Sequence, residues 1–357
     1  MRLVRESDIE DLALGAVVLG TGGGGDPLIA KIMLRQAIER HGPVRVISAG
    51  EIDPDGLVLP IGMIGAPTVI VEKFPSGDEA RTVLHAMEAR LGRTGVAIMP
   101  MEIGGMNSLF PLAVAAELGL PVVDADFMRR AFPQLEMTLL TLAEVPASPA
   151  ALCDTKGNSV LFEAVDNRMS ERLLRASVAE MGMIAVFSAY PMTASQVERH
   201  AATGSLTLCH EIGRSLTAIQ ASAPGAYERF LAVSDAVILF SGKVLDIERR
   251  TTAGWARGTV ALEHLDQPDR VMRVEIQNEN LIALEDGEPV ATVPDLISLI
   301  DIETGIPMTT EALRYGQRLH VIGMPAEHRW HTPEGIALAG PRAFGYDLDY
   351  FPIRRDR

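Results

Sequence analysis

Leu19-Gly20-Thr21-Gly22-Gly23-Gly24-Gly25-Asp26-Pro27 is the stretch around which the rest of the chain is organised. It joins an apolar segment, Leu14 to Leu19, to a helical one, Leu28 to Ile38. Four consecutive glycines carry a high backbone-entropy cost, so such a run belongs where the chain turns with positive φ or approaches something closely. Asp26 is a good N-cap residue and Pro27 suits the first helical position. The run therefore predicts a loop ending at a helix start, with N–H groups turned outward toward an anion, a carboxylate or a polarised carbonyl. Thr21, Gly22, Gly23, Gly24 and Gly25 are the candidate cradle, and Asp26 is the cap that holds it open.

Working outward, strands and helices alternate. Ser7-Asp8-Ile9-Glu10 fits a capping box, with Ile9, Leu12, Ala13 and Ala16 on one helical face. A second helix runs from Pro27 to about Arg40. Strands are expected over Val44–Ile47, Leu57–Ile64, Gly95–Met101 and Pro121–Val123, and helices over Ser76–Leu91 and Ser108–Leu118. Such alternation predicts a parallel or mixed sheet covered by helices, with ligands at the carboxyl ends of its strands. Past Pro133 come expected strands at 135–142, 150–154, 159–165 and 183–188, with helices at 169–180, 193–201, 205–221 and 224–231. From Ala236 onward the chain reads as β, with strands expected at 236–240, 244–250, 255–262, 271–276, 281–284, 289–293 and 320–324, a hairpin signal at Asp286-Gly287 and a capped turn at Pro294-Asp295-Leu296. The fold class is α/β (α+β): an N-terminal α/β sheet domain, 1–166, and a β-rich C-terminal domain, 167–357.

The composition bounds the function. Net charge is −15 over 357 residues, which argues against nucleic acid or an anionic membrane as partner. Two cysteines, Cys153 and Cys209, provide no disulfide framework, and a reducing, cytoplasmic setting is expected. No apolar run approaches a membrane span, the N-terminus has no signal-like core, and the apolar composition is compatible with a homo-oligomer.

The chemistry is expected among acids. The Gly-x-Ser-x-Gly elbow and the Walker loop are absent, and a dinucleotide fingerprint fits the glycine run badly, so no nucleotide is expected. Cys209-His210 reads as core, and His328 with His331 as surface. Glu72, Glu102, Asp124 and Asp126 all fall at the ends of predicted strands, where they converge if the strands are parallel. Converging acids can act as base and acid toward a bound carbonyl or thiocarbonyl, or hold a divalent metal. Asp124 and Asp126 also suit helix capping. Arg130 is a candidate for holding a substrate carboxylate bidentately. Asn107, and Asn278 within Gln277-Asn278-Glu279-Asn280, are further substrate-binding candidates, although the latter four residues read equally as a turn.

Several of these motifs together resemble the S-methyl thiohydantoin desulfurase family. The resemblance is carried by Gly20 to Pro27, Gly65-Ala66-Pro67-Thr68-Val69, Glu72-Lys73, Glu102 to Ser108 and Pro121 to Asp126. It continues through Arg130-Ala131-Phe132-Pro133, Gln277 to Leu281, Pro294 to Ile297 and Tyr315-Gly316. It implies an α/β N-terminal and a β-rich C-terminal domain, and a hydrolase that removes sulfur from a five-membered thiohydantoin or hydantoin-like ring. Relatives occurring beside hydantoinase and oxoprolinase enzymes leave two alternatives, an accessory subunit of such a system or a small-molecule binding protein. Phe127-Met128-Arg129-Arg130 departs from the Gly-Met-Gly-Arg usual at this point in the family, which implies a narrower or differently charged site.

Overall fold

The computed structural model describes residues 2–66, 69, 73, 75–252 and 255–354. Strands β1 (Arg2–Val4), β2 (Val44–Ile47), β3 (Leu57–Gly65), β4 (Gly95–Pro100) and β5 (Val122–Val123) open the chain, followed by β6 (Ala125–Asp126), β7 (Ala150–Cys153), β8 (Ser159–Phe162), β9 (Ile184–Ser188) and β10 (Met192–Thr193). Four of them, in the order β2-β5-β4-β3, are parallel. They read as near-continuous apolar runs because both faces are covered. Antiparallel strands flank this centre: β1 on one side, and β9, β7 and β8 on the other, with β10 on β3. The helices around it are α1 (Ile9–Leu19), α2 (Leu28–His41), α3 (Asp78–Leu91), α4 (Met106–Leu118) and α5 (Leu139–Leu142), then α6 (Asn167–Glu180), α7 (Ala194–His200), α8 (Ser205–Gln220) and α9 (Ala226–Ser234).

This sheet takes strands from both sides of residue 166, because β9 and β10 pair with β3. Helix α8 also packs on α1 across a glycine crossing. A Cβ on Gly15 would meet the Cys209 carbonyl, and one on Gly213 the Asp11 carbonyl. Wrapped in this way, α1 is buried on every side rather than on one face.

The second sheet is wholly antiparallel. After β11 (Ala202–Thr203), which pairs with β6, come β12 (Val237–Thr252), β13 (Trp255–His264), β14 (Val271–Gln277), β15 (Glu279–Glu285) and β16 (Glu288–Thr292), then β17 (Leu296–Asp301), β18 (Pro307–Met308) and β19 (Arg318–Met324). Their order is β16-β15-β14-β13-β12-β19-β17-β18. Val290 and Ala291 of β16 share one apolar cluster with Ile297 and Leu299 of β17, so the two halves of the sheet fold over the same core. The last helix is α10 (Pro333–Ala339).

Three local expectations are corrected. The segment 135–142 holds the short helix α5, because Thr138 caps it by accepting the Thr141 N–H at 3.1 Å, and no strand forms there. Strands expected at 236–240 and 244–250 are one strand, β12, because Ser241, Gly242 and Lys243 between them stay paired with His320, Leu319 and Arg318 of β19. Pro294-Asp295-Leu296, expected to be only a capped turn, leads into the buried strand β17.

Candidate functional site

The glycine run lies between the two sheets and is pinned from both sides. On one side, at the start of α4, Met106 donates to the Gly24 carbonyl and Gly105 to the Ala16 carbonyl of α1 just before the run, both at 3.0 Å. From the second sheet, Asn280 donates to the Thr21 carbonyl at 2.7 Å and Thr310 to the Gly22 carbonyl at 3.0 Å. Close approach explains much of the run. A Cβ on Gly24 would lie 2.6 Å from the Gly104 carbonyl carbon, and one on Gly23 only 2.3 Å from Glu279 Oε1. Asp26 Oδ1 accepts the Leu28 N–H at 2.8 Å, so it holds the helix start from one residue before the cap position, which Pro27 occupies instead of the first helical position expected of it. Thr21 is fully buried and its hydroxyl receives Arg130 Nη2 at 3.3 Å, so Thr21 faces Arg130 and not a ligand.

Gly23, Gly24 and Gly25 do face a cavity of about 160 Å³. Among the described residues no acceptor stands opposite the Gly24 or Gly25 N–H. Met63, Met101, Met106 and Met128, with Phe127, Phe132 and Phe187, form its apolar walls. Glu102, Asn107, Asn278, Glu279, Glu311 and Arg175 are polar groups in its lining. A mostly apolar concave space with a few convergent polar groups is the usual form of a small-molecule site.

Glu102 follows directly on β4, and Asn107 stands in the first turn of α4. The Asn107 amide is fully engaged: it donates to the Met63 carbonyl and to Glu102 Oε1, at 3.0 and 2.7 Å, and accepts the Met63 N–H at 2.7 Å. It thereby locks β3 to α4 and orients Glu102. Loss of solvation, with the Asp126 charge adding, pushes Glu102 up to about 7 against the Asn107 and Phe132 hydrogen bonds. Glu279 begins β15, directly after the tight turn in which Asn278 takes φ +58°. Glu279 is 3% exposed, and among the described residues its Oε2 has no hydrogen-bond partner. Loss of solvation pushes it up to about 8, the Glu102 charge adding and Arg130 opposing. The Gln277–Asn280 turn expected between two strands is therefore present, and its tip reaches the glycine run.

Other expected site residues are placed elsewhere. Asp124 does not reach this cavity. It caps α8, accepting the Leu206 and Thr207 N–H at 2.8 and 3.1 Å and the Thr207 hydroxyl at close range, beside a separate cleft lined by Ser48, Glu51 and Glu198. Asp126 is fully buried behind the wall formed by Phe127 and Met128. It accepts Met128 N–H, Arg129 N–H and Ser205 Oγ at 3.0, 2.8 and 2.6 Å. Loss of solvation still pushes it up to about 6. Arg130 is also fully buried and is not available to a substrate carboxylate. It donates to the Pro294, Asp295 and Ala131 carbonyls and stacks 4.0 Å over the Phe132 ring. Burial holds its basicity below the ordinary value, with the charges of Glu279 and Asp295 opposing. Gly22 turns its carbonyl to Thr310 and lies behind the cavity wall. Glu72 lies outside the described residues. Among the described residues, no three His, Cys, Asp or Glu side chains are placed to hold a metal ion.

Glu279, Glu311 and Arg175 were not singled out from the sequence. Glu279 stood inside a polar tetrad between two apolar runs, a signal for a turn that carries no information on which acid is buried. Arg175 Nε pairs with Glu171 at 2.9 Å, and its guanidinium also donates to the Pro133 carbonyl. Two smaller readings match: Cys209 is buried in the core, its thiol pushed up by burial, and no helix among the described residues is long and apolar enough to cross a membrane.

Comparison with known proteins accounts for this layout. An S-Me-THD-like N-terminal domain model matches residues 7–164, and an S-Me-THD-like C-terminal domain model matches residues 165–353. A solved structure of a protein from Chromobacterium violaceum superposes with a TM-score of 0.83 at 25% identity, covering 99% of this chain and 100% of that one. No curated protein matches the chain. With both domain models matched in order along nearly the whole length, the chain belongs to the S-Me-THD-like family.

Proposed function

We propose that this protein is a hydrolase acting on a five-membered cyclic amide of the thiohydantoin or hydantoin type, as an S-methyl thiohydantoin desulfurase-like enzyme. The observation that carries the reading is a half-buried carboxyl, Glu102, lining an apolar cavity together with Gly24 and Gly25, whose N–H groups have no acceptor among the described residues. The family name supports the substrate class. The methionine and phenylalanine walls supply soft, polarisable contacts suited to a flat ring bearing sulfur.

Glu102 is the general base in this reading. Its proton affinity lies near neutrality, where a base is both ionised and strong enough to take a proton from water. Asn107 holds it by one oxygen. The Gly24 and Gly25 N–H groups stabilise the negative charge that develops as water adds to the ring carbon bearing sulfur. A divalent metal that activates this water stays within the proposal, to be read by metal analysis of the purified protein.

The test is turnover. Purified protein is incubated with hydantoins and S-methyl thiohydantoins, with and without added divalent metals, while ring absorbance and thiol release are followed. Thiol release that disappears in Glu102→Gln supports the reading. Absence of turnover on every ring under every metal condition would sink it, and leave the accessory-subunit and binding-protein alternatives.

A further inference from the structure

We infer that Glu279, carried by the second sheet, is the proton donor to the departing sulfur, and that Gly23 is glycine in order to seat it. This rests on the reading above for the identity of the substrate. The placement of Glu279 rests on geometry alone.

A glutamate 3% exposed with one oxygen lacking any partner is costly, and a buried acid in that state calls for an explanation. Arg130 supplies a charge nearby, yet its hydrogen bonds go to backbone carbonyls and Thr21 and not to Glu279. The carboxyl lies instead along the glycine run and in the cavity wall. Gly23 makes this possible: a Cβ there would meet Glu279 Oε1, Cδ and Cγ at 2.3, 2.7 and 2.7 Å. Gly23 is not among the glycines with positive φ, so this contact is what an alanine would violate, and not the backbone. Glu102, Glu311 and Arg130 are the charged groups that act on Glu279 from the surrounding elements. The two acids disfavour its ionisation, and Arg130 limits the effect. Glu279 therefore holds its proton more firmly than Glu102, the order that an acid and a base require.

Water oxygen bonds to the ring carbon and one water proton passes to Glu102. The carbon–sulfur bond breaks, its electron pair leaves with sulfur, and the Glu279 proton completes the thiol. The hydroxyl proton of the adduct returns to Glu279 as the carbonyl forms. The Glu102 proton ends on the ring nitrogen, so both carboxyls are restored and the two hydrogens of water lie on sulfur and nitrogen.

The test is dependence on the leaving group. Glu279→Gln is expected to lower kcat about a hundredfold on an S-methyl thiohydantoin, with little change in KM, because an alkyl thiolate needs a proton to depart. On an S-nitrophenyl analogue, whose thiolate leaves without one, the variant is expected to approach the parent. Gly23→Ala, whose folding is checked by its thermal midpoint, is expected to show the same selective loss by displacing Glu279. An equal loss on both substrates, or an unchanged rate on the S-methyl substrate, overturns the assignment. Should the parent protein turn over neither ring, the substrate reading falls. The state of Glu279 is then read by infrared difference spectroscopy. A protonated-carboxyl band at neutral pH that vanishes in Glu279→Gln supports the donor role, and its absence in the parent overturns it.

Discussion

Two pairs of acids in this molecule differ in how their oxygens are used. Asp124 and Asp126 follow directly on β5 of the first sheet, Asp124 after its last residue and Asp126 in the short strand β6, near the carboxyl end where ligands of open α/β sheets gather. Their oxygens are already occupied, by the helix start at α8 and by the turn at Met128 and Arg129. Glu102 and Glu279 come from different sheets, and each lines the same cavity. Position at a strand end therefore does not make an acid reactive. What separates the pairs is their surroundings: the aspartate oxygens are taken up by donors away from the cavity, whereas Glu102, although it accepts from Asn107 and Phe132, lines an open space of low polarity, and Glu279 beside it keeps one oxygen without a partner among the described residues.

The sharpest way to break this comparison is Glu102→Gln. It is expected to lower kcat/KM by about a thousandfold, within the range for loss of a general base, while a thermal melt shows a folded protein. The same residue has a pH signature. Folded, it keeps its proton up to about 7, and in the unfolded chain it releases it near 4.5. The native state binds the extra proton between those values, so this contribution to stability is whole below the window and declines as pH rises through it. Urea unfolding on either side of the window should show that decline in the parent and less of it in the variant. A flat profile in the parent would remove the argument from desolvation.

Arg130→Met comes next. It cuts the bonds that tie Thr21 to the Pro294 turn and leaves buried carbonyls without their donor, at a cost of about 3 kcal/mol. Denaturant unfolding measures it. A variant as stable as the parent would return Arg130 to the list of ligand-binding candidates. Asp126→Asn is expected to cost about 1–2 kcal/mol, since one oxygen acceptor becomes a donor facing N–H groups. Its turnover per folded molecule should hardly move, and a collapse of kcat with stability intact would reverse the distinction drawn between the pairs. The smallest effect belongs to Asp124→Ala, about 1 kcal/mol from the lost cap of α8, with turnover unchanged.

Much of the fold was legible because it follows from local chemistry. The apolar runs at 57–65 and 95–100, the capped helix after Asp26 and the hairpin at Asp286-Gly287 need only neighbouring residues to specify them. Segment 135–142 was misread because its apolar spacing suits a strand, whereas one hydroxyl, that of Thr138, starts a helix. Strand β17 was missed because Pro294 and Asp295 signal a turn and the turn is real, but the strand begins at the next residue.

The site divides the same way. The sequence by itself determined that a glycine run precedes a capped helix, that acids follow the strands of a mixed sheet, and that the motifs together resemble one family. Only the tertiary structure decided which acids count. Burial and lone-pair use are set by chains distant in sequence: Ser205 and the start of α8 claim Asp126 and Asp124, while the β14–β15 turn carries Glu279 across some 250 residues of chain to lie on Gly23. A glycine states locally that something comes close, and the fold supplies what it is.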